Sequence, residues 1–173
     1  MAAITLERLH SLIDDHVAQL SSVLLDCVDG GASVGFMQPL SLDQAFAFWQ
    51  RVGAGVLAGE RALLVARDEV GIVGTVQLVL DQPANQNHRA DLCKMLVHRR
   101  GRRQGLGAAL MHGAEDMARA CNKKLLVLDT ATGSEAERLY ARLGWERVGV
   151  IPNYAHWPDG ALCGTTYFYK TMD

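Results

Sequence analysis

Gly105 and Gly107, entered from a run of arginines (Arg99, Arg100, Arg102, Arg103), are the residues of this chain best placed to hold an anion. They belong to Lys94-Met-Leu-Val97-His-Arg-Arg-Gly101-Arg-Arg-Gln-Gly105-Leu-Gly107-Ala-Ala-Leu110, which reads as a strand end, a basic turn and a helix start. Leu106, Leu110, Gly113 and Met117 recur at helical spacing, so an amphipathic helix follows the glycines. The first N–H groups of a helix have no intrahelical partner and carry the positive end of its dipole, which makes them a seat for phosphate. Glycine lacks Cβ and lets an anion approach the backbone closely. The expectation is a pyrophosphate cradle with the arginines at its mouth.

Several templates compete for this turn. A phosphate loop of the Walker type needs Gly-Lys-Ser/Thr, which is absent. The dinucleotide fingerprint G-x-G-x-x-G is met at Gly105 and Gly107, but Leu110 stands at the third glycine; Asp129 follows at roughly the distance of a ribose-binding acid. That fold needs further strand–helix units, and roughly forty residues remain after Asp129. A nicotinamide- or flavin-binding protein therefore stays as a lesser alternative. The plainest alternative is a glycine-softened helix start beside a solvated arginine run.

The pattern Arg102-x-x-Gly105-x-Gly107 resembles motif A of the GNAT superfamily of N-acetyltransferases. Ala136-Glu-Arg-Leu-Tyr140-Ala-Arg-Leu-Gly144-Trp145 resembles that superfamily's motif B, with Ala136, Leu139, Tyr140 and Leu143 on one helix face and Gly144 as its stop. Gly30-Gly-Ala-Ser-Val-Gly-Phe36-Met, Leu128-Asp129-Thr130 and Pro152-x-Tyr154-x-x-x-Pro158-Asp-Gly160 are similar to the tabtoxin-resistance branch. The resemblance implies one acetyltransferase domain over residues 1–173, an α/β (α+β) fold. It also implies a mixed sheet of about seven strands, helices on both faces, and a splayed parallel strand pair that holds acetyl-CoA.

Roles follow from the resemblance residue by residue. Arg102, Arg103, Gln104, Gly105, Leu106, Gly107 and Ala108 would hold the pyrophosphate. Met95, Leu96 and Val97 would offer backbone to the pantetheine arm, with the N–H of Leu96 or Val97 as oxyanion donor. Tyr140 is the expected acid for the departing thiolate; a phenol, titrating near ~10, suits that task. Its alternative is simple packing on the helix face. Asp91 and Asp129, one on each splayed strand, are the candidate bases, although an ordinary aspartate titrates near ~3.9 and would need burial or a bridging water. Either could instead only orient a cationic amine. Two positions depart from the family pattern: Arg103 replaces the first glycine of the turn, and Gly133-Ser134 replaces the asparagine that often opens the motif B helix. Ser134 is thus a pantetheine contact or a helix cap. Ser33, Phe36 and Tyr154, in the loops flanking the expected cleft, are candidate substrate contacts. The resembled branch acetylates an amino-acid toxin, so a small amino-acid-like amine is the expected acceptor, and a non-catalytic acetyl-CoA sensor is the alternative. Family members are often homodimers.

The elements that must position these residues can be read along the chain. The 173 residues suffice for one domain; 49% are hydrophobic, 21% charged, and the net charge is −2. That balance argues against a general nucleic-acid or membrane-surface binder. No apolar run reaches the ~18 residues of a membrane span. Cys27, Cys93, Cys121 and Cys163 are widely spaced and read as reduced cytoplasmic thiols, and no metal site is suggested. A first strand is expected near Ile4–Leu9. A helix capped by Ser11 should then run to about Cys27, and a second, opened by Ser41 and Gln44, to about Ala58. Ala62–Arg67 and Gly71–Leu80 read as a hairpin, and Ala90–His98 as the strand before the cradle. Lys124–Thr130, Arg147–Ile151 and Thr165–Lys170 are the later strands, with Pro152 to Gly160 as a loop.

Overall fold

The computed structural model describes residues 4–173. Seven strands form one mixed sheet: β1 (Thr5–Leu9), β2 (Arg61–Arg67), β3 (Ile72–Val79), β4 (Arg89–Val97), β5 (Leu125–Ala131), β6 (Glu146–His156) and β7 (Leu162–Thr171). Their order is β1-β2-β3-β4-β5-β7-β6. Among the described residues only β4 and β5 run parallel, joined by the helix α3 (Leu106–Ala120). The helices α1 (Asp14–Asp29) and α2 (Leu42–Leu57) cover one face, α3 the other, and α4 (Glu135–Arg142) lies between β5 and β6.

Alternation along β2 shows why both faces are covered. Ala62, Leu64 and Ala66 pack with Leu110, Met111, Ala114 and Met117 of α3, whereas Leu63 and Val65 pack with Leu20, Leu24, Trp49 and Val52 of α1 and α2. Trp49, Leu20, Leu24, Leu63 and Leu110 are fully buried. Each side chain of that kind contributes about 1.5–3 kcal/mol by leaving water. The capping box of α2 forms as expected: Ser41 Oγ accepts the Gln44 N–H at 3.1 Å, and Gln44 Oε1 accepts the Ser41 N–H at 3.0 Å. The hairpin forms too, its turn tied by Asp68 Oδ1, which accepts the N–H groups of Val70 and Gly71.

Two expected boundaries move. The cap residue of α1 is Ile13, not Ser11, and its N–H is met at 3.4 Å by His16 Nδ1. Strand β6 does not stop at Ile151 but continues through Pro152 and Tyr154 to His156. It is the edge of the sheet, where a residue without an N–H costs no ladder bond. A register shift between Ile151 and Ala155, with Asn153 at φ 53°, absorbs the irregularity.

Candidate active site

Pairing between β4 and β5 covers Arg89–Asp91 against Leu125–Val127 and then ends, so the two strands part toward their C-terminal ends. A cavity of about 1160 Å³ fills the gap, with β4, β5, the turn before α3, α4 and the segment after α1 around it. Within β4 the register against β3 shifts by one residue between Thr75 and Gln77, where Lys94 takes φ 52°. This bulge inverts the alternation: Ala90 and Leu92 face α3, then Met95 and Val97 do, while Leu96 packs with α1 and α2. Beyond the bulge, His98 N–H donates to Val73 O, which makes Gly74–Val97 a pair without its own hydrogen bonds. Val97 therefore turns its N–H and C=O away from β3 into the gap, and the alternation turns those of Leu96 toward β3. Of the two candidate oxyanion donors, the register singles out Val97.

The glycine turn has the geometry of an anion seat. Gly105 sits at φ 77°, a left-handed conformation that suits glycine, and a Cβ there would meet nothing within 4 Å. The first intrahelical bond of α3 runs from Ala109 N–H to Gly105 O, so the amides of Leu106, Gly107 and Ala108 precede it. All four residues line the cavity, with Arg102 and Arg103 beside them. Gly107 allows close packing as well: a Cβ there would lie 3.0 Å from Leu139 Cδ2 of α4. Arg103, standing where the family pattern has its first glycine, takes φ 60°, the conformation for which glycine is the natural residue. Gln104 is not among the lining residues; its side-chain amide donates back to Arg100 O at 3.0 Å. The donor set of amides and guanidinium groups suits a pyrophosphate.

Two of the four arginines are not at the mouth. Arg99 turns to α1, where the buried Asp26 accepts its Nε–H and, at 2.8 Å, its backbone N–H. Burial raises the Asp26 pKa, but the hydrogen bonds from Arg99 and the positive field around it outweigh this and hold the carboxyl below its usual range. Arg100 pairs with Asp68 at 2.9 Å and donates to Ile72 O, bracing the β2–β3 hairpin. Arg102 remains, its Nε–H donating to Val97 O at 3.0 Å. Arg142 of α4, which the sequence reading passed over, also lines the cavity.

Tyr140 and Asp129 share the cavity wall, and Asp91 does not. Tyr140 is 5% exposed, and its hydroxyl has no hydrogen bond among the described residues. Burial, and secondly the Asp129 charge, push its pKa far up. Asp129 is exposed in the cavity, its carboxylate accepting the Thr165 hydroxyl at 2.7 Å. Leu126 and Leu128 face α3, so Asp129 projects to the opposite side, that of α1 and α2. Asp91 lies where β4 and β5 are still paired, and Arg89 (2.6 Å) and Gln82 (3.0 Å) bind its carboxylate. Its place before the gap opens removes it from the candidate bases.

The remaining candidates divide in the same way. Ser134 caps α4, its Oγ accepting the Glu137 N–H at 3.2 Å, and also borders the cavity. Ser33 lines it and donates to His156 O at 2.9 Å, tying the segment after α1 to β6. Tyr154 lines it from β6, its hydroxyl 3.1 Å from that of Tyr167, and this bond first, then burial, pushes the Tyr167 phenol up to about 12. Phe36 is not a lining residue; its ring packs edge-on against Phe48, 5.2 Å between centroids, as part of the α1–α2 core. Thr165, from β7, and Lys94 were missed, since nothing local to either residue shows that it reaches the gap.

Comparison with known proteins agrees with this architecture. Residues 29–145 match the acetyltransferase (GNAT) family. The chain is 31% identical over 133 residues to an uncharacterized N-acetyltransferase of the hisH–hisA intergenic region of Azospirillum brasilense, an overlap covering 75% of this chain and 76% of that one. The Salmonella typhimurium protein yncA, solved with acetyl-CoA, superposes with a TM-score of 0.79 at 20% identity, over 99% of this chain and 95% of the other. An N-acetyltransferase of Staphylococcus aureus gives 0.80 at 13% identity, over 99% and 100%. A mixed sheet split at one parallel pair, with a glycine turn at the mouth of the split, defines an acetyltransferase of the GNAT class. This chain belongs to the GNAT family, and it is an N-acetyltransferase.

Proposed function

We propose that this enzyme moves the acetyl group of acetyl-CoA to the amine of a small amino-acid-like molecule by direct attack on the thioester. The observation that carries the reading is the gap between β4 and β5, with the glycine cradle at one end and the Asp129–Thr165 pair on its wall. The amides of Leu106, Gly107 and Ala108, with Arg102 and Arg103, would hold the diphosphate, and Met95 to Val97 would run beside the pantetheine arm.

The thioester supplies an activated acetyl carbon and a sulfur leaving group; the protein supplies the rest. A lysine-like amine arrives as ammonium, and neutralising it at pH 7 costs about 4–5 kcal/mol. Asp129 attracts that ammonium and passes its proton to water at the exposed mouth. The Val97 N–H donates to the carbonyl oxygen as negative charge gathers there. Tyr140 gives its proton to the departing sulfur; its raised pKa keeps the phenol protonated until then. The Gly30–Met37 block supports a place near the tabtoxin-resistance branch. The four free thiols fit a cytoplasmic setting. The exposed Val148, Val150 and Ile151 of the edge strand β6 fit a homodimer.

The test is twofold. Acetyl-CoA should raise the melting temperature and NADH should not; equal shifts reject the donor. Release of free thiol on adding an amine from a panel of amino acids and amino-acid toxins separates an enzyme from a sensor that merely binds the coenzyme.

A further inference from the structure

Lys94 is, with Arg142 of α4, one of two cations of this cavity that the acetyl transfer leaves without a task, and it is the one carried by β4, across the gap from Asp129 of β5. It stands at the bulge of β4, half-buried, and lines the cavity beside Ser33, Val34 and Gly35. Its Nζ lies 5.8 Å from the centre of the Phe48 ring, and a Cβ at Gly35 would come within 3.6 Å of it. The side chain therefore points to the α1–α2 side of the sheet, the side to which Asp129 also projects. Among the described residues Lys94 forms no ion pair and no side-chain hydrogen bond, whereas Asp26, Asp68, Asp91 and Glu115 each hold an arginine or lysine. The Phe48 ring gives the Lys94 charge a cation–π contact, which leaves the ammonium's N–H donors for an anion in the cavity.

Building on the acceptor reading above, the geometry points to Lys94 as the specificity residue that binds a carboxylate of the acceptor. Asp129 and Lys94 come from opposite walls of the gap and carry opposite charges, so together they fit a zwitterion. Asp129 takes the ammonium end, and Lys94, with the Ser33–Gly35 backbone, takes the acid. The coenzyme's diphosphate has its own seat at Arg102 to Ala108, which leaves this cation to the acceptor. Peptide amides and simple amines lack the group that Lys94 would bind, so the site selects free amino acids and their acidic analogues.

The experiment assays free α-amino acids, each beside its own carboxamide, with saturating acetyl-CoA and a thiol-release readout. The amine of the carboxamide is less basic and more easily neutralised, so a preference for the acid runs against intrinsic reactivity. The wild-type enzyme should favour the best acid over its amide at least about tenfold in kcat/KM, a ratio that an ion pair of ordinary strength supplies. In Lys94→Met the ratio should collapse to within about threefold through KM, while Lys94→Arg keeps most of it and the KM for acetyl-CoA stays unchanged in both. Equal use of acids and amides by the wild type, or a ratio that survives Lys94→Met, overturns the assignment and leaves the transferase reading standing. A raised KM for acetyl-CoA with an unaltered ratio overturns it too, by giving Lys94 to the coenzyme. A panel in which no amine releases thiol overturns the acceptor reading itself, and this inference with it.

Discussion

Asp26 in the last turn of α1 holds the backbone N–H of Arg99, 73 residues later in the chain, at 2.8 Å. This contact fixes where β4 ends and the glycine turn begins, and it is made by a carboxylate with 7% of its side chain exposed. Its pKa is lowered in the folded protein, so the stability it contributes is present above the unfolded value near ~3.9 and is lost as pH falls through the folded value. Asp26→Asn should cost about 1–3 kcal/mol at pH 7. The gap between variant and wild type should close as the pH drops below about 4. Urea unfolding at pH 7 and across the acid range reads both outcomes.

Tyr140→Phe removes a hydroxyl that has no partner among the described residues, so stability should change by less than about 0.5 kcal/mol. Activity should fall on the order of a hundredfold in kcat, the usual contribution of a positioned acid. Because the phenol titrates well above its ordinary value, the wild-type rate should show no falling alkaline limb from this group up to about pH 10. A pH–rate profile of both proteins decides it.

Gly107→Val places branched carbons where even one Cβ would stand 3.0 Å from Leu139. Overpacking of this kind costs about 1–3 kcal/mol and pushes α3 from α4. The KM for acetyl-CoA should rise about tenfold or more, since the amides of the cradle move with the helix. Gly107→Ala should show a smaller effect of the same sign, as the Leu139 methyl can yield.

Arg103→Gly separates strain from charge. At φ 60° a side chain is disfavoured by about 1 kcal/mol relative to glycine, so the variant should be as stable as the wild type or gain up to that amount. Loss of the guanidinium at the cavity should raise the KM for acetyl-CoA about two- to fivefold, more at low salt than at high. Thermal melts and kinetics at two ionic strengths test the two halves separately.

What could be read from the chain was what neighbours in the chain determine. The turn from Arg102 to Ala108, the helix behind it and the Ala136–Trp145 unit are local patterns, and each stands where the pattern put it. The succession of strands and helices followed from the same logic, and the parting of β4 from β5 followed from the family resemblance, whereas the place of β7 between β5 and β6 appears only in the assembled sheet. Asp91 and Phe36 were legible as types but not as positions. Only the register Asp91–Val127 reveals that Asp91 precedes the gap, and only the Phe48 contact reveals that Phe36 is core. Arg99 and Arg100 looked like anion ligands because their partners, Asp26 and Asp68, are distant in sequence. The bulge at Lys94 left no mark in the hydrophobic pattern, and with it went the direction of that side chain. Pro152 read as a stop because an edge strand cannot be told from a central one before the sheet is assembled.

The sheet consists of two plates, β1 to β4 and β5 to β7, whose direct hydrogen-bonded seam is three residue pairs long. Past that seam the plates are held together on one face by the apolar core that α3 shares with Leu126 and Leu128 of β5. A long, flexible molecule therefore fits between strand edges that have already parted, and its entry breaks no ladder bond.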